Sequence, residues 1–206
     1  TTTGLPVFEG YGLTEAAPGV TSTLVRGHAK PGSVGAPLPG VDVRLVDEDG
    51  EDAEEGDPGE IWVRGPNLFS GYWPDGSGGP DPDGWFATGD VAYLDDDGDL
   101  VLVDRRKELI IVSGFNVYPR EVEDAIGSHP AVAEVAVMGV SHPYSGEAVK
   151  AYVVLRPGAE LTTEELHEHV AARLARFKWP TIVQFVDRLP HSPVGKVSKQ
   201  RLRESP

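Results

Sequence analysis

The spacing of apolar side chains changes about halfway along the chain, and the change sorts the expected elements into two sets. In the first half the spacing is two. Val41, Val43 and Leu45 alternate with Asp42 and Arg44, and Ile61 to Arg64 repeat the pattern less cleanly, so both segments are expected as half-buried strands. Residues 91–94 and 100–103 flank Asp95-Asp96-Asp97-Gly98-Asp99, a strand, turn, strand pattern. Leu5, Val7 and Phe8 suggest a further strand running into Gly10-Tyr11-Gly12. The stretches between are turn-like: residues 47–57 are almost wholly acidic, and residues 74–84 contain only Pro, Asp, Gly and Ser, which cannot pack. Short strands with long polar turns lead to the expectation of a β-barrel-like subdomain over residues 1–104.

Past residue 104 the grammar becomes helical and mixed. An apolar run (Leu109, Ile110, Ile111, Val112) turns at Ser113-Gly114, and Pro119 suits the first position of a helix that has Glu121 in its first turn, Val122 and Ile126 on its buried face, and Gly127 as its stop. Residues 132–140 and 148–155 read as strands. Thr162 and Glu165 form a capping box with Leu161 and Leu166 as its staple, and Leu166, Val170, Leu174 and Phe177 carry helical spacing up to Trp179-Pro180. Residues 182–186 read as a last strand, followed by a Pro/Gly loop that delivers Lys196 and a short basic helix from about Ser198. The fold class is therefore expected to be α+β, with a small α/β domain over residues 105–206.

Charge sharpens the division. Residues 1–104 hold 4 Lys/Arg against 21 Asp/Glu, whereas residues 105–206 hold 14 against 12. Asp104-Arg105-Arg106-Lys107 reads as a joint between unlike bodies. A net charge of -15 argues against general nucleic-acid binding, and an anionic substrate would have to be met by local cations or a metal ion. No cysteine is present, which removes thiolate ligands and thiol nucleophiles. Neither a bilayer-length apolar run nor a signal-peptide pattern occurs, so a cytoplasmic protein is expected.

Several common sites are absent. His167 and His169 stand two apart on the expected helix, on different faces; Gly195-Lys196 lacks the rest of a Walker loop; the acidic loop at 47–57 misses calcium-loop spacing; and Thr1-Thr2-Thr3-Gly4, which is like the end of a phosphate loop, has no accompanying Lys. Four polar features remain: Thr14-Glu15, Asp90, Arg105 and Lys196.

Their settings supply more. Tyr11-Gly12-Leu13-Thr14-Glu15, Gly59-Glu60-Ile61-Trp62-Val63-Arg64-Gly65, Thr88-Gly89-Asp90, Asp104-Arg105 with Gly114 and Tyr118-Pro119-Arg120-Glu121-Val122-Glu123, and Pro193-Val194-Gly195-Lys196 occur in the order seen in AMP-forming acyl-CoA synthetases, within the adenylate-forming superfamily. The chain resembles the C-terminal part of such enzymes, fatty-acid CoA ligases in particular. The resemblance implies ATP, Mg²⁺ and coenzyme A as cofactor and substrates, and a reaction that activates a carboxylic acid as acyl-adenylate before passing it to coenzyme A. It implies that Tyr11, Gly12, Thr14, Asp90 and Arg105 bind the nucleotide, with Asp90 and Arg105 on the ribose and Tyr11 stacked on adenine. Glu15 would hold Mg²⁺, Thr14 would meet phosphate, and Lys196 would reach the substrate carboxylate and the α-phosphate. Lys107 falls at the family's hinge, about which the small domain swings as a lid, and Ser113, Gly114 and Phe115 would border the coenzyme A channel. The resemblance also makes the N-terminal part of the same enzyme a partner and leads to the expectation that these 206 residues alone are inactive. Two rival readings share most of these residues: an adenylation domain that loads a carrier protein, and a non-catalytic nucleotide-binding fragment. Residues 113–123 are closer to the free-CoA form.

Overall fold

The computed structural model describes residues 4–193 and 195–203. Thr1 to Thr3, and Val194 of the Lys196 loop, lie outside the described residues. The chain forms two compact units, Thr1–Arg106 and Lys107–Pro206.

The first unit is built on two antiparallel sheets. Strands β1 (Gly10–Gly12), β2 (Gly19–Ser22) and β3 (Ala36–Pro37) form a small sheet in that order. Strands β4 (Asp42–Val46), β5 (Gly59–Arg64), β6 (Phe86–Leu94) and β7 (Leu100–Arg105) form a meander. Alternation sends Leu45, Ile61 and Val63 into a core with Val20, Ala92 and Leu100. On the opposite face Arg44 stacks between Trp62 and Trp85, its guanidinium 4.9 and 4.6 Å from the two ring centres.

The expected barrel is not formed. Closure requires the outer strands of a sheet to pair with each other, and the order β4-β5-β6-β7 ends on two open edges. Those edges are occupied by the unit's own loops. Val34 N donates to Leu100 O at 2.8 Å and Leu100 N to Gly35 O at 3.0 Å along β7, while Ala53 N donates to Leu45 O at 2.9 Å along β4. The strand expected at Leu5, Val7 and Phe8 is also absent: these residues are 68%, 58% and 41% exposed, and only residues 10–12 pair.

The second unit is a mixed sheet covered on both faces. Strands β8 (Ile110–Val112), β9 (Phe115–Val117), β10 (Val132–His142), β11 (Gly146–Leu155) and β12 (Ile182–Phe185) are ordered β10-β11-β8-β9, with β12 added parallel to β11. Helices α1 (Pro119–Gly127) and α2 (Thr163–Ala171) bury Val122, Ile126, Leu166 and Val170 against Val137, Val149, Ala151 and Val153. Helix α3 (Lys199–Arg203) joins the other face, where Leu202 and Leu189 meet Ala136, Met138 and Tyr152. The capping box at Thr162 is present, but α2 stops at Ala171 instead of continuing to Trp179. Arg173 N and Leu174 N both donate to Val170 O, and the Arg173 guanidinium donates to His169 O at 2.8 Å, closing the last turn. Leu174 still reaches the core from that turn, which is why the apolar spacing outlasts the helix.

Candidate functional site

The most constrained polar cluster lies where β5, β6 and β7 meet. Glu60 pairs with Val91 and Trp62 with Ala87, so the single residue Ile61 faces the three residues Thr88, Gly89 and Asp90. This bulge is held by side chains. Thr88 Oγ1 donates to Ile61 O at 2.8 Å and accepts from Asp90 N at 3.2 Å, while Gly89 N donates to Glu60 Oε1 at 2.9 Å. Gly89 sits at φ +75°, which a glycine adopts without strain. Bulges re-aim side chains, and here the result is Asp90 facing Arg105 across the β6/β7 ladder.

Both oxygens of Asp90 are engaged. Arg105 Nε lies 3.2 Å from Oδ1, and the Tyr11 hydroxyl donates to Oδ2 at 2.7 Å. The Tyr11 ring is buried against Ala16 and Val20. Burial pushes its phenol well above the usual tyrosine range; Thr88 opposes that, and the Asp90 carboxylate adds to it. Tyr11 therefore serves Asp90 as a hydrogen-bond donor. Asp90 is 18% and Arg105 56% exposed on their side chains. A carboxylate has about four lone-pair positions, so Asp90 keeps acceptor capacity for hydroxyl groups approaching from solvent beside a cation.

Thr14 and Glu15 lie just beyond β1, in the single 3₁₀ turn Thr14–Ala16. The loop from Gly12 returns closely on itself, and a Cβ at Gly12 would overlap the Pro18 carbonyl. The Tyr72 hydroxyl donates to Glu15 Oε1 at 2.5 Å, and Phe69 N donates to Glu15 O at 2.8 Å. Tyr72 is packed edge-on against Phe69, which packs in turn on Phe86. The Tyr72 hydrogen bond holds the Glu15 carboxyl below the usual range, so it stays ionised near neutrality. Among the described residues no group of three or more His, Asp or Glu could cage a metal. A lone ionised carboxylate fits Mg²⁺, which keeps several waters and is commonly held by one or two carboxylates plus substrate phosphates.

The remaining expected residues belong to the second unit. Ser113 (φ 52°) and Gly114 (φ 86°) make the turn between β8 and β9, and Ser113 N donates to Ser145 O at 2.8 Å. Phe115 is 56% exposed and stacks on Phe177 at 4.7 Å. Lys107 lies in the exposed turn Arg106–Glu108. Lys196 is exposed on a tight hairpin, with Ser192 N donating to its carbonyl at 2.7 Å and its own N donating to Ser192 Oγ at 3.3 Å. Three residues on, Lys199 Nζ is 2.9 Å from both Glu108 Oε2 and Glu123 Oε1. Burial alone would depress this lysine, yet the charges of Glu123 and Glu108 raise it.

The structure thus joins Tyr11, Asp90 and Arg105 in one cluster and sets Thr14 and Glu15 in the turn beyond Tyr11. It puts Lys196, Ser113, Gly114 and Phe115 in the other unit. Glu60, Arg106, Tyr72 and Lys199 were not expected to take part. Glu60 carried a usable signal, a carboxylate directly before the apolar run Ile61, Trp62 and Val63.

Comparison with known proteins follows the same division. Residues 1–73 match the AMP-binding enzyme family, and residues 121–196 match the AMP-binding enzyme C-terminal domain. A long-chain-fatty-acid–CoA ligase of Yersinia pestis is 51% identical over 206 residues, covering 99% of this chain and 36% of that protein. The chain thus spans about a third of the length of the curated relatives it matches. The crystal structure of ATP-bound MatB from Rhodopseudomonas palustris superimposes with a TM-score of 0.88 at 43% identity, over 96% of this chain and 40% of that one. The o-succinylbenzoate CoA synthetase MenE of Bacillus subtilis, in complex with its acyl-adenylate intermediate, gives 0.86 at 36% identity, over 100% of this chain and 42% of that one. With both halves matched and the site motifs in order, the chain belongs to the AMP-binding, adenylate-forming acyl-CoA ligase superfamily.

Proposed function

We propose that the protein containing this chain is an ATP-dependent acid–thiol ligase that makes an acyl-adenylate from a fatty acid and transfers the acyl group to coenzyme A. The observation that carries the reading is the Asp90 carboxylate, braced by Tyr11 and Arg105 with acceptor positions left open. A vicinal diol such as a ribose presents two hydroxyl donors to such a group. The fatty acid is proposed from the Yersinia relative.

In this reading Asp90 accepts from the ribose hydroxyls, Arg105 contacts the same sugar, and Tyr11, whose ring is buried and not free to stack on adenine, braces Asp90 through its hydroxyl. Thr14 donates to phosphate. A substrate carboxylate oxygen attacks the α-phosphorus, forming the acyl–phosphate bond as pyrophosphate leaves. Lys196 faces the negative charge shared by those groups, and a preorganised cation there lowers the barrier by about 3 kcal/mol. Mg²⁺ at Glu15 would supply neutralisation of the polyphosphate charge. In the second step the coenzyme A sulfur, having released its proton to water, attacks the acyl carbonyl, the acyl–phosphate linkage breaks and AMP leaves. Ser113, Gly114 and Phe115 line the passage for the thiol arm, and Lys107 is the pivot for the lid formed by the second domain.

The test is Lys196→Ala in the full-length enzyme, read by pyrophosphate exchange and by AMP binding. Exchange should fall by about 10² to 10³, while AMP affinity stays within about threefold. Unchanged exchange would overturn the catalytic role and favour a nucleotide-binding module.

A further inference from the structure

Glu60 is a carboxylate in a place where strands keep apolar residues. It is 7% exposed, in β5 between Gly59 and the fully buried Ile61. A buried carboxylate is costly unless paired and hydrogen-bonded, and both of its oxygens are satisfied by groups flanking the Asp90 cluster. Oε1 accepts from Gly89 N at 2.9 Å, inside the bulge that presents Asp90. Oε2 accepts from Arg106 Nη1 at 2.5 Å, and Arg106 immediately follows Arg105. One side chain therefore grips the residue before Asp90 and the residue after Arg105. Asp90 and Arg105, cross-strand partners in the middle of β6 and at the end of β7, depend on the same anchor from opposite sides.

Other members of the cluster do not duplicate this. Thr88 pins the start of the bulge to Ile61 O, and Tyr11 pins the Asp90 carboxylate, but neither reaches β7. Beyond Arg106 the chain passes into the second unit, so the Glu60–Arg106 pair is also the last side-chain tether of the first unit before Lys107.

We propose that Glu60 is a positioning residue for nucleotide recognition: it sets the separation and aim of Asp90 and Arg105, and so sets the grip on the sugar hydroxyls without touching the nucleotide. The inference rests on the ribose role given to Asp90 above. It differs from a merely stabilising role in one respect, which is that its effect should pass through the ribose hydroxyls alone.

The experiment uses the full-length enzyme and two ligands, AMP and 2′,3′-dideoxyadenosine monophosphate, with affinities measured by calorimetry. Glu60→Ala should weaken AMP binding by about tenfold and leave binding of the dideoxy nucleotide unchanged. Glu60→Gln keeps an acceptor for Gly89 and loses the charge facing Arg106, so it should fold even if the alanine variant does not. It should show a smaller loss, again confined to AMP, and Arg106→Ala should match it. Equal losses for both nucleotides, or no loss for either, would overturn the positioning role while leaving the ribose reading intact. If the unmodified enzyme binds the two nucleotides equally, the ribose reading fails and this inference falls with it.

Discussion

Lys199→Met removes one ammonium from between two carboxylates, and the cost can be worked from the contacts. The Lys199, Glu108 and Glu123 side chains are 19%, 25% and 22% exposed, and both N–O separations are 2.9 Å. Breaking a fully buried pair costs about 3 to 5 kcal/mol, and an exposed pair is worth about 0 to 1 kcal/mol. With about a fifth of each side chain in contact with water, and with two carboxylates left facing each other, about 2 kcal/mol is expected. Glu123 Oε1 also accepts from Val137 N in β10, so the loss should spread through that edge strand into its neighbour β11. Native-state hydrogen exchange at the β11 amides should accelerate by about 30-fold, the equivalent of that energy. The pH dependence has a definite sign. Lys199 binds its proton more tightly folded than unfolded, so the stabilisation is complete below the ordinary lysine value of 10.5 and is lost as pH rises through the elevated folded value. In urea unfolding the gap between the parent chain and the variant should be constant from about pH 7 to about pH 9 and should narrow toward about pH 11. A loss below about 0.5 kcal/mol, or a gap of the same size at the highest pH, would refute the reasoning.

Tyr72→Phe should let the Glu15 carboxyl rise toward its ordinary range, since the Tyr72 hydroxyl is the largest cause of its depression; a carbon-detected NMR titration of Glu15 reads this directly, and an unmoved titration would contradict it. Thr162→Ala deletes the capping box at the start of α2 and should cost about 1 kcal/mol of stability in the second unit, visible as faster exchange of the first α2 amides and not of the first-unit strands.

The local elements were legible where one residue type has one physical use. Pro119 and Gly127 bound α1, Thr162 and Glu165 cap α2, and the alternation at 41–45 becomes β4. The sequence failed where the deciding contacts are between distant segments. Nothing in residues 33–35 announces that their backbone will pair with Leu100 at the start of β7, where closure of the sheet would have needed β4. Leu5, Val7 and Phe8 have strand-like spacing but no strand to pair with. Apolar period alone carried α2 too far, because Leu174 can reach the core from a tight turn as well as from a helix. In the candidate site the motif resemblance singled out Asp90, Arg105 and Tyr11, whereas their bracing by Glu60 and the engagement of Glu15 by Tyr72 depend on separations of 29, 46 and 57 positions that no local pattern encodes.

The segment carrying Lys196 is sewn into the second unit at both ends, by Leu189 at 3% exposure and Leu202 at 5%. An arc with fixed ends explores a much smaller volume than a free tail, and the bridge between His191 and Val197 narrows it again. For the anion contact proposed for Lys196, part of the backbone entropy has thus been surrendered during folding, and the rotamers of one lysine side chain, worth about 2 kcal/mol, would be restricted on contact.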